Sequence, residues 1–569
     1  MYIDNIIEGF YNVVHDSRVL LFVNYDIDGI CAARILQYLF RCDTISYTLV
    51  PVSGIQDLRQ AYEENCEEIK YVVLLNCGGT IDIVELLEPV EDVIFFLVDS
   101  HRPTDLCNVF SSSQVRIIGK PDPEENIPEF DDVFREDSEE EGDNSDNSGN
   151  ESDPEESRAA KRMRLSEEAI LKRRESRLWA EKRDRIVFDY TQFSYFGKAS
   201  AVRMFELALS LSKDNVDLLW CAIIGVTEQY LLGKIEKQQY ILDTGVLQGH
   251  VSKLSHNIED ETEAAATTTP VTAPRISFIK DLQLALYRHW TVEASLRHSM
   301  YSACKLKLWT LKGERKLHEL LVDMGLPLVQ SRQKFCAMDM VLRQEFHSMI
   351  EKLAEKYNLD QLVFTSFILQ HGFRNKFCAS DVVYSMLALL ESSSRDRSSK
   401  DCFLEAMDAL SRSKKSLLED GIERAKLMLT SIFKMVQGAL DMQMVVSAGP
   451  FLYFVIQEGG LNARHFSHPH TLVLLAQFIL QAHVMVKKKA INLPLIASAP
   501  LDVEDGTCLV VGIPPVVEDS PKNFFGKAFE QAAEKTNARA QLDYFDSSVM
   551  KLKTEDRSKF FDALAALLS

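Results

Sequence analysis

Residues 20–40 read LLFVNYDIDGICAARILQYLF, and this stretch decides the fold. An apolar, β-favouring run stops at a polar turn, Asn24-Tyr25-Asp26-Ile27-Asp28-Gly29, and an amphipathic helical pattern starts at once. Working outward, the same grammar repeats. VLLFV (19–23), ISYTLV (45–50), YVVLL (71–75), VIFFLV (93–98) and QVRII (114–118) are short apolar runs, and helical patterns such as GIQDLRQAYEEN lie between them. Strands alternating with helices at this spacing predict a mainly parallel sheet with helices on both faces.

In such a sheet, ligand sites form beyond the carboxyl ends of the strands. Three turns should converge there: Asn24 to Gly29, Asn76-Cys77-Gly78, and Asp99-Ser100-His101-Arg102. The Asp-x-Asp-Gly spacing lets two carboxylates face one point while glycine allows a tight entry into the helix. Taken alone, Asp28 reads first as the N-cap of that helix, and what raises the other reading is three rim turns in the right order on the right strands.

The remainder is helical from about 198 to 390, with a flexible loop expected at 256–274. MVVSAGPFLYFVI, NLPLIASAPL and TCLVVGIPP then return the pattern to strands. Two C-terminal helices should bury Phe525, Phe529 and Ala532, and Phe560, Leu564 and Leu567. No apolar run is long enough to suggest a membrane span, and the acidic start of the chain is unlike a secretory signal. Eleven dispersed cysteines without a C-x-x-C pair imply neither zinc nor disulfides.

The net charge of −21 is uneven. Between 122 and 157 there are seventeen acids and one arginine, and residues 135–157 should be disordered. Residues 158–185 follow with eleven bases and five acids, reading as an exposed, charge-laced helix. The rest carries −11, which excludes a strongly basic nucleic-acid domain but not a local groove.

The three rim turns, in this order, resemble the DHH phosphoesterase superfamily. Its members, such as RecJ-type exonucleases, hold two Mn²⁺ ions that activate a water for phosphodiester attack. The resemblance assigns Asp26, Asp28, Asp99 and His101 to that set, with Glu228 of GVTEQ as the fourth motif in place of Asp. Asn24, Asn76 and Ser100 stand where acids or an imidazole are usual. Two divalent cations a few ångströms apart need more anionic ligand than this, so no catalytic residue, metal or cofactor is expected. A single divalent ion at Asp26 and Asp28 stays open.

The cell division control protein 45 family shows the same decay, and the chain is similar to it throughout. LLFVNYDIDGICAARILQYLF, FFLVDSHRP (95–103), FELALSLSKDNVDLLWCAIIGVTEQY (205–230), GFRNKFCASDVV (372–383) and NFFGKAFEQAA (523–533) carry the resemblance. It implies a DHH-type parallel-sheet domain (1–230), an all-helical middle (231–390) and a smaller α/β domain (391–569) related to the RecJ substrate-binding domain. It also implies a nuclear, non-catalytic subunit of the replicative helicase. The implied partners are the MCM ring, the GINS complex, replicative polymerases and initiation factors, with single-stranded DNA as a further candidate and no membrane. The rival reading is a divergent Mn²⁺-dependent exonuclease or phosphodiesterase that keeps Asp26, Asp28 and Asp99.

Other motifs carry less. No Gly-x-x-x-x-Gly-Lys-Ser/Thr occurs, which argues against a P-loop ATPase. His465, His468 and His470 read as a surface turn, and Lys487 to Lys489 as a solvated helix end. Ser138, Ser148 and Ser152 each precede Glu at +3 and suit an acidophilic kinase. Lys161, Arg162, Arg164, Lys172, Arg173 and Arg174 could form a nuclear import signal, or simply a solvated helix face. Phe373, Phe377 and Val382 are candidates for partner contact or for core.

Overall fold

A computed structural model describes the chain except residues 112, 136–173, 265–273, 372–374, 393–396, 460–462 and 517–521. Ser138, Ser148, Ser152 and the basic residues 161–173 therefore lie outside the described residues, and of the import cluster only Arg174 is described.

The N-terminal runs form a six-stranded parallel sheet. Its strands are β1 (Tyr2–Ile3), β2 (Val19–Asn24), β3 (Tyr47–Val52), β4 (Tyr71–Leu75), β5 (Ile94–Val98) and β7 (Val115–Ile118), while β6 (His101–Arg102) lies outside it. The order is β1-β7-β5-β4-β2-β3, so the chain leaves β2 for one neighbour, β3, and returns on the other side as β4. That reversal is a topological switch point, and it opens a crevice between the turns after β2 and β4. β2, β4 and β5 are buried almost throughout because helices cover both faces. Helix α1 (Ile27–Cys42) follows β2 and α2 (Ile55–Asn65) follows β3. After β8 (Tyr195–Phe196), α3 (Ser200–Ser210) and α4 (Val216–Leu231) pack on α1.

The middle region is not all-helical. Helix α5 (Lys237–Ala264) runs into the stretch read as a loop, and β9 (Arg275–Leu282), β10 (Val363–His371) and β11 (Asn375–Cys378) form an antiparallel sheet in the order β11-β10-β9. β9 and β10 pair across about eighty residues of intervening helix, a separation that local periodicity does not register. Phe377 and Val382, candidates for partner contact, are core residues.

Helices α6 (Ala379–Leu390) and α7 (Lys415–Asp441) pack together and lead to a second six-stranded sheet. It contains β12 (Val446–Ser447), β13 (Leu452–Val455), β14 (Leu495–Asp502), β15 (Thr507–Ile513), β16 (Ala540–Gln541) and β17 (Val549–Lys553), ordered β12-β13-β14-β15-β17-β16. Helix α8 (Pro469–Val486) packs on β14 and β15. By length and composition α8 is long and apolar enough to cross a membrane, although His470, Thr471, Gln477, Gln481 and His483 interrupt its apolar run. It is apolar on most sides because it is enclosed by α7 and the sheet. Helices α9 (Phe525–Thr536) and α10 (Arg557–Leu568) bury Phe525, Phe529, Ala532, Phe560 and Leu564 against Phe451, Val510 and Met550, as their spacing predicts.

Residues 1–122 and 194–569 form one compact unit, and 123–193 form a second. Within the second, a helix at 174–191 is tied to the short helix Phe130–Val133 by Lys182–Asp132 (2.7 Å) and by Arg183 Nε donating to the Val133 carbonyl (2.9 Å).

Candidate functional site: a degenerate rim over the parallel sheet

The switch point brings the predicted rim turns together. Asp26, not Asp28, caps α1: its Oδ1 accepts from Gly29 N at 2.6 Å. Asp28, in the first turn, accepts from the backbone N–H groups of Ser200 (2.8 Å) and Ala201 (2.9 Å) at the start of α3. Asn76 follows β4 in the left-handed region (φ 54°), a conformation asparagine tolerates better than most residues. This turns its side chain between the two acids. Asn76 Nδ2 donates to Asp26 Oδ2 and to Asp28 Oδ2, each at 3.0 Å. Its Oδ1 accepts from Ser100 N (3.1 Å) and from the Ser200 hydroxyl (2.5 Å). Asn24 Nδ2 adds a longer bond to Asp26, 3.3 Å.

The two acids are close and buried. Burial, and then the neighbouring Asp26 charge, push the Asp28 carboxyl up to about 7. Asp28 also presses on α4, where a Cβ at Gly225 would lie 2.6 Å from Asp28 Oδ1, so only glycine permits the approach.

Asp99 and His101 form a second, self-satisfied group. Asp99 Oδ2 accepts from Gly79 N (2.7 Å) and Gly78 N (3.2 Å), and Oδ1 accepts from His101 N (2.8 Å) and Nδ1 (2.7 Å). Burial opposes both charges, yet the pairing outweighs it: Asp99 is held below the usual carboxylate range and His101 above the usual imidazole range.

Glu228, on the last turns of α4, is fully buried. Its Oε1 accepts from Lys234 Nζ at 2.7 Å. Lys234 escaped the sequence reading, although Gly233 just beyond a helix end was a legible stop signal. Ser200 and Ala201 were also missed, since nothing local marks a residue 172 positions from Asp28 as its partner.

The residues present do not fit a pair of divalent cations. Three of the expected ligand positions are neutral, the Asn76 amide fills the space between Asp26 and Asp28, and Asp99 is saturated by four donors. Among the described residues, the one trio of ligand-type atoms within 4.8 Å is Asp82, Asp105 and Cys107, where both acids act as helix caps.

Above the rim lies a cavity of about 600 Å³, bordered by Asp26, His101, Lys234, Arg464, His470 and Lys551. His470 is therefore not on a surface turn. It opens α8, and Glu391 caps it: Oε1 accepts from His470 N (2.8 Å) and Nδ1 (2.7 Å), and Oε2 from Thr471 N (2.7 Å) and Oγ1 (2.6 Å). Despite burial, these donors hold the Glu391 carboxyl down to about 2. Asp543 caps α2, its carbonyl accepting from Ile55 N (2.7 Å) and its Oδ1 from Gln56 N (2.8 Å).

The CDC45 family profile matches residues 19–156 and 129–567. The chain belongs to the CDC45 family. It is 45% identical to the human cell division control protein 45 homolog, with all of both chains covered. Against the Schizosaccharomyces pombe homolog the identity is 28%, covering 96% of this chain and 95% of that one. The crystal structure of CDC45 from Entamoeba histolytica shares the fold, with a TM-score of 0.70 at 22% identity over 100% of both chains.

Proposed function

We propose that this chain acts in chromosomal DNA replication as a non-catalytic subunit of the replicative helicase. It joins the MCM ring and the GINS complex in the nucleus, alongside replicative polymerases and initiation factors, and leaves ATP hydrolysis to the ring. The observation that carries the reading is end-to-end similarity to proteins named cell division control protein 45 homologs. The Asn76 amide seated between Asp26 and Asp28 supports the non-catalytic part, because it removes the ligand space that phosphodiester hydrolysis needs. Single-stranded DNA is a candidate guest of the cavity above the rim, whose border includes Arg464 and Lys551.

Reconstitution tests this. Alone, the purified chain should neither hydrolyse ATP nor cleave DNA with Mn²⁺. Added to MCM and GINS, it should make unwinding processive and scale with its occupancy, and Asp26→Asn should leave unwinding intact. Full unwinding without the chain would refute the proposal, as would Mn²⁺-dependent cleavage abolished by Asp26→Asn.

A further inference from the structure

Glu228 poses a physical problem. Its carboxylate is fully buried at the rim, and among the described residues its Oε2 accepts no hydrogen bond. A buried carboxylate with half its acceptor capacity unused needs a cation. The fold supplies one from the same chain segment. Helix α4 ends with Gly233 N donating to the Tyr230 carbonyl and Lys234 N to the Gln229 carbonyl, and Gly233 takes φ 67°. This glycine stop reverses the chain and sends Lys234 back over the last turn, onto Glu228.

Lys234 is placed at the rim by three contacts. Its Nζ bonds Glu228 Oε1 at 2.7 Å with only 12% of the side chain exposed. It lies 4.9 Å from the centre of the Phe196 ring, and that ring packs against His101 at 5.0 Å, tilted by 51°. It borders the same cavity as Asp26 and His101. The Asp26 charge reaches it too: burial alone would lower the ammonium, but Glu228 and then Asp26 hold it above the ordinary lysine range.

We propose that Lys234 is a tethered replacement for a divalent cation: its ammonium supplies the positive charge that Glu228 and Asp26 require, while the neutral Asn76 amide only donates hydrogen bonds between Asp26 and Asp28. The rim then keeps its acids as structural anions, and its cation cannot dissociate. The claim concerns the rim alone and stands whichever assembly the chain joins.

Three full-length proteins test it: wild type, Lys234→Met, and Lys234→Met with Glu228→Gln. Each is unfolded thermally in chelator and in Mn²⁺. The single variant should have a lower midpoint in chelator, and Mn²⁺ should raise it. At about 100 times its dissociation constant, the ion would favour the folded state about 100-fold. The double variant should recover in chelator without metal, since both charges are gone, and wild type should ignore Mn²⁺. If Lys234→Met does not fold alone, recovery of the double variant together with folding of the single variant in Mn²⁺ still supports the proposal. It is overturned if Lys234→Met is as stable as wild type, if wild type itself is stabilised by Mn²⁺, or if the single variant responds to Glu228→Gln but never to the metal.

Discussion

Asn76→Asp restores the acid expected in the second rim motif and should destabilise the fold strongly. The wild-type amide donates two hydrogen bonds to buried carboxylates at 3.0 Å each. An ionised Asp at 76 donates none and adds a negative charge beside Asp26, and beside Asp28 as well once that carboxyl ionises near pH 7. At 3 Å and an effective dielectric near 20, each such repulsion approaches about 5 kcal/mol. The new carboxyl escapes by staying protonated, which costs about 1.4 kcal/mol for each pH unit above its unfolded value near 4. Protonated, it still donates one bond, so one bond to a charged partner is lost, about 1.5–3 kcal/mol. The sum is about 3–4 kcal/mol at pH 5 and about 6–8 kcal/mol at pH 7.5. The sign follows from linkage: a folded value raised above the unfolded one means the native state binds the extra proton, so the variant loses stability as pH rises. Urea unfolding of both proteins from pH 5 to 7.5 measures the difference and its slope. A penalty below about 1 kcal/mol, or one that does not grow with pH, would refute the reasoning, because it would mean the amide is not acting as donor to both acids.

Three further outcomes follow from named contacts. Asp28, held up near 7, favours its protonated form in the fold, so wild type should lose stability relative to Asp28→Asn as pH rises from about 4 to 7; parallel urea curves over that window would count against it. His470 is raised by Glu391 against the opposing effect of burial, so its contribution is full below its unfolded value near 6.5 and is lost as pH rises through the higher folded value. His470→Gln should therefore cost about 1.5–3 kcal/mol at pH 6 and clearly less at pH 9, and an equal cost at both would contradict the charged pairing. Asp543→Ala removes the side-chain cap on α2 and should cost about 1 kcal/mol in chemical denaturation, with hydrogen exchange rising first at Ile55 to Leu58; unchanged exchange there would show that the backbone carbonyl alone holds the helix start.

What the sequence determined by itself is what short-range chemistry encodes. Runs such as YVVLL are too short and too β-branched for helices, so the parallel sheet was legible, and a parallel sheet places its turns on one rim. Asn24, Asp26, Asp28, Asn76, Asp99, Ser100 and His101 were therefore locatable as neighbours, and the deficit of acids among them was visible as written. Periodicity likewise found the faces of α9 and α10. Only the tertiary structure decided the long-range pairings. The β9–β10 pairing joins strands that lie far apart along the chain, and α8 is apolar because protein, not lipid, surrounds it. At the rim, tertiary structure alone decided that Ser200 and Ala201 cradle Asp28 and that the Asn76 amide sits between Asp26 and Asp28. Hydrogen bonds and charge pairs of this kind depend on positions in space, and a local pattern carries no distance between residues that fold together from opposite ends of a domain.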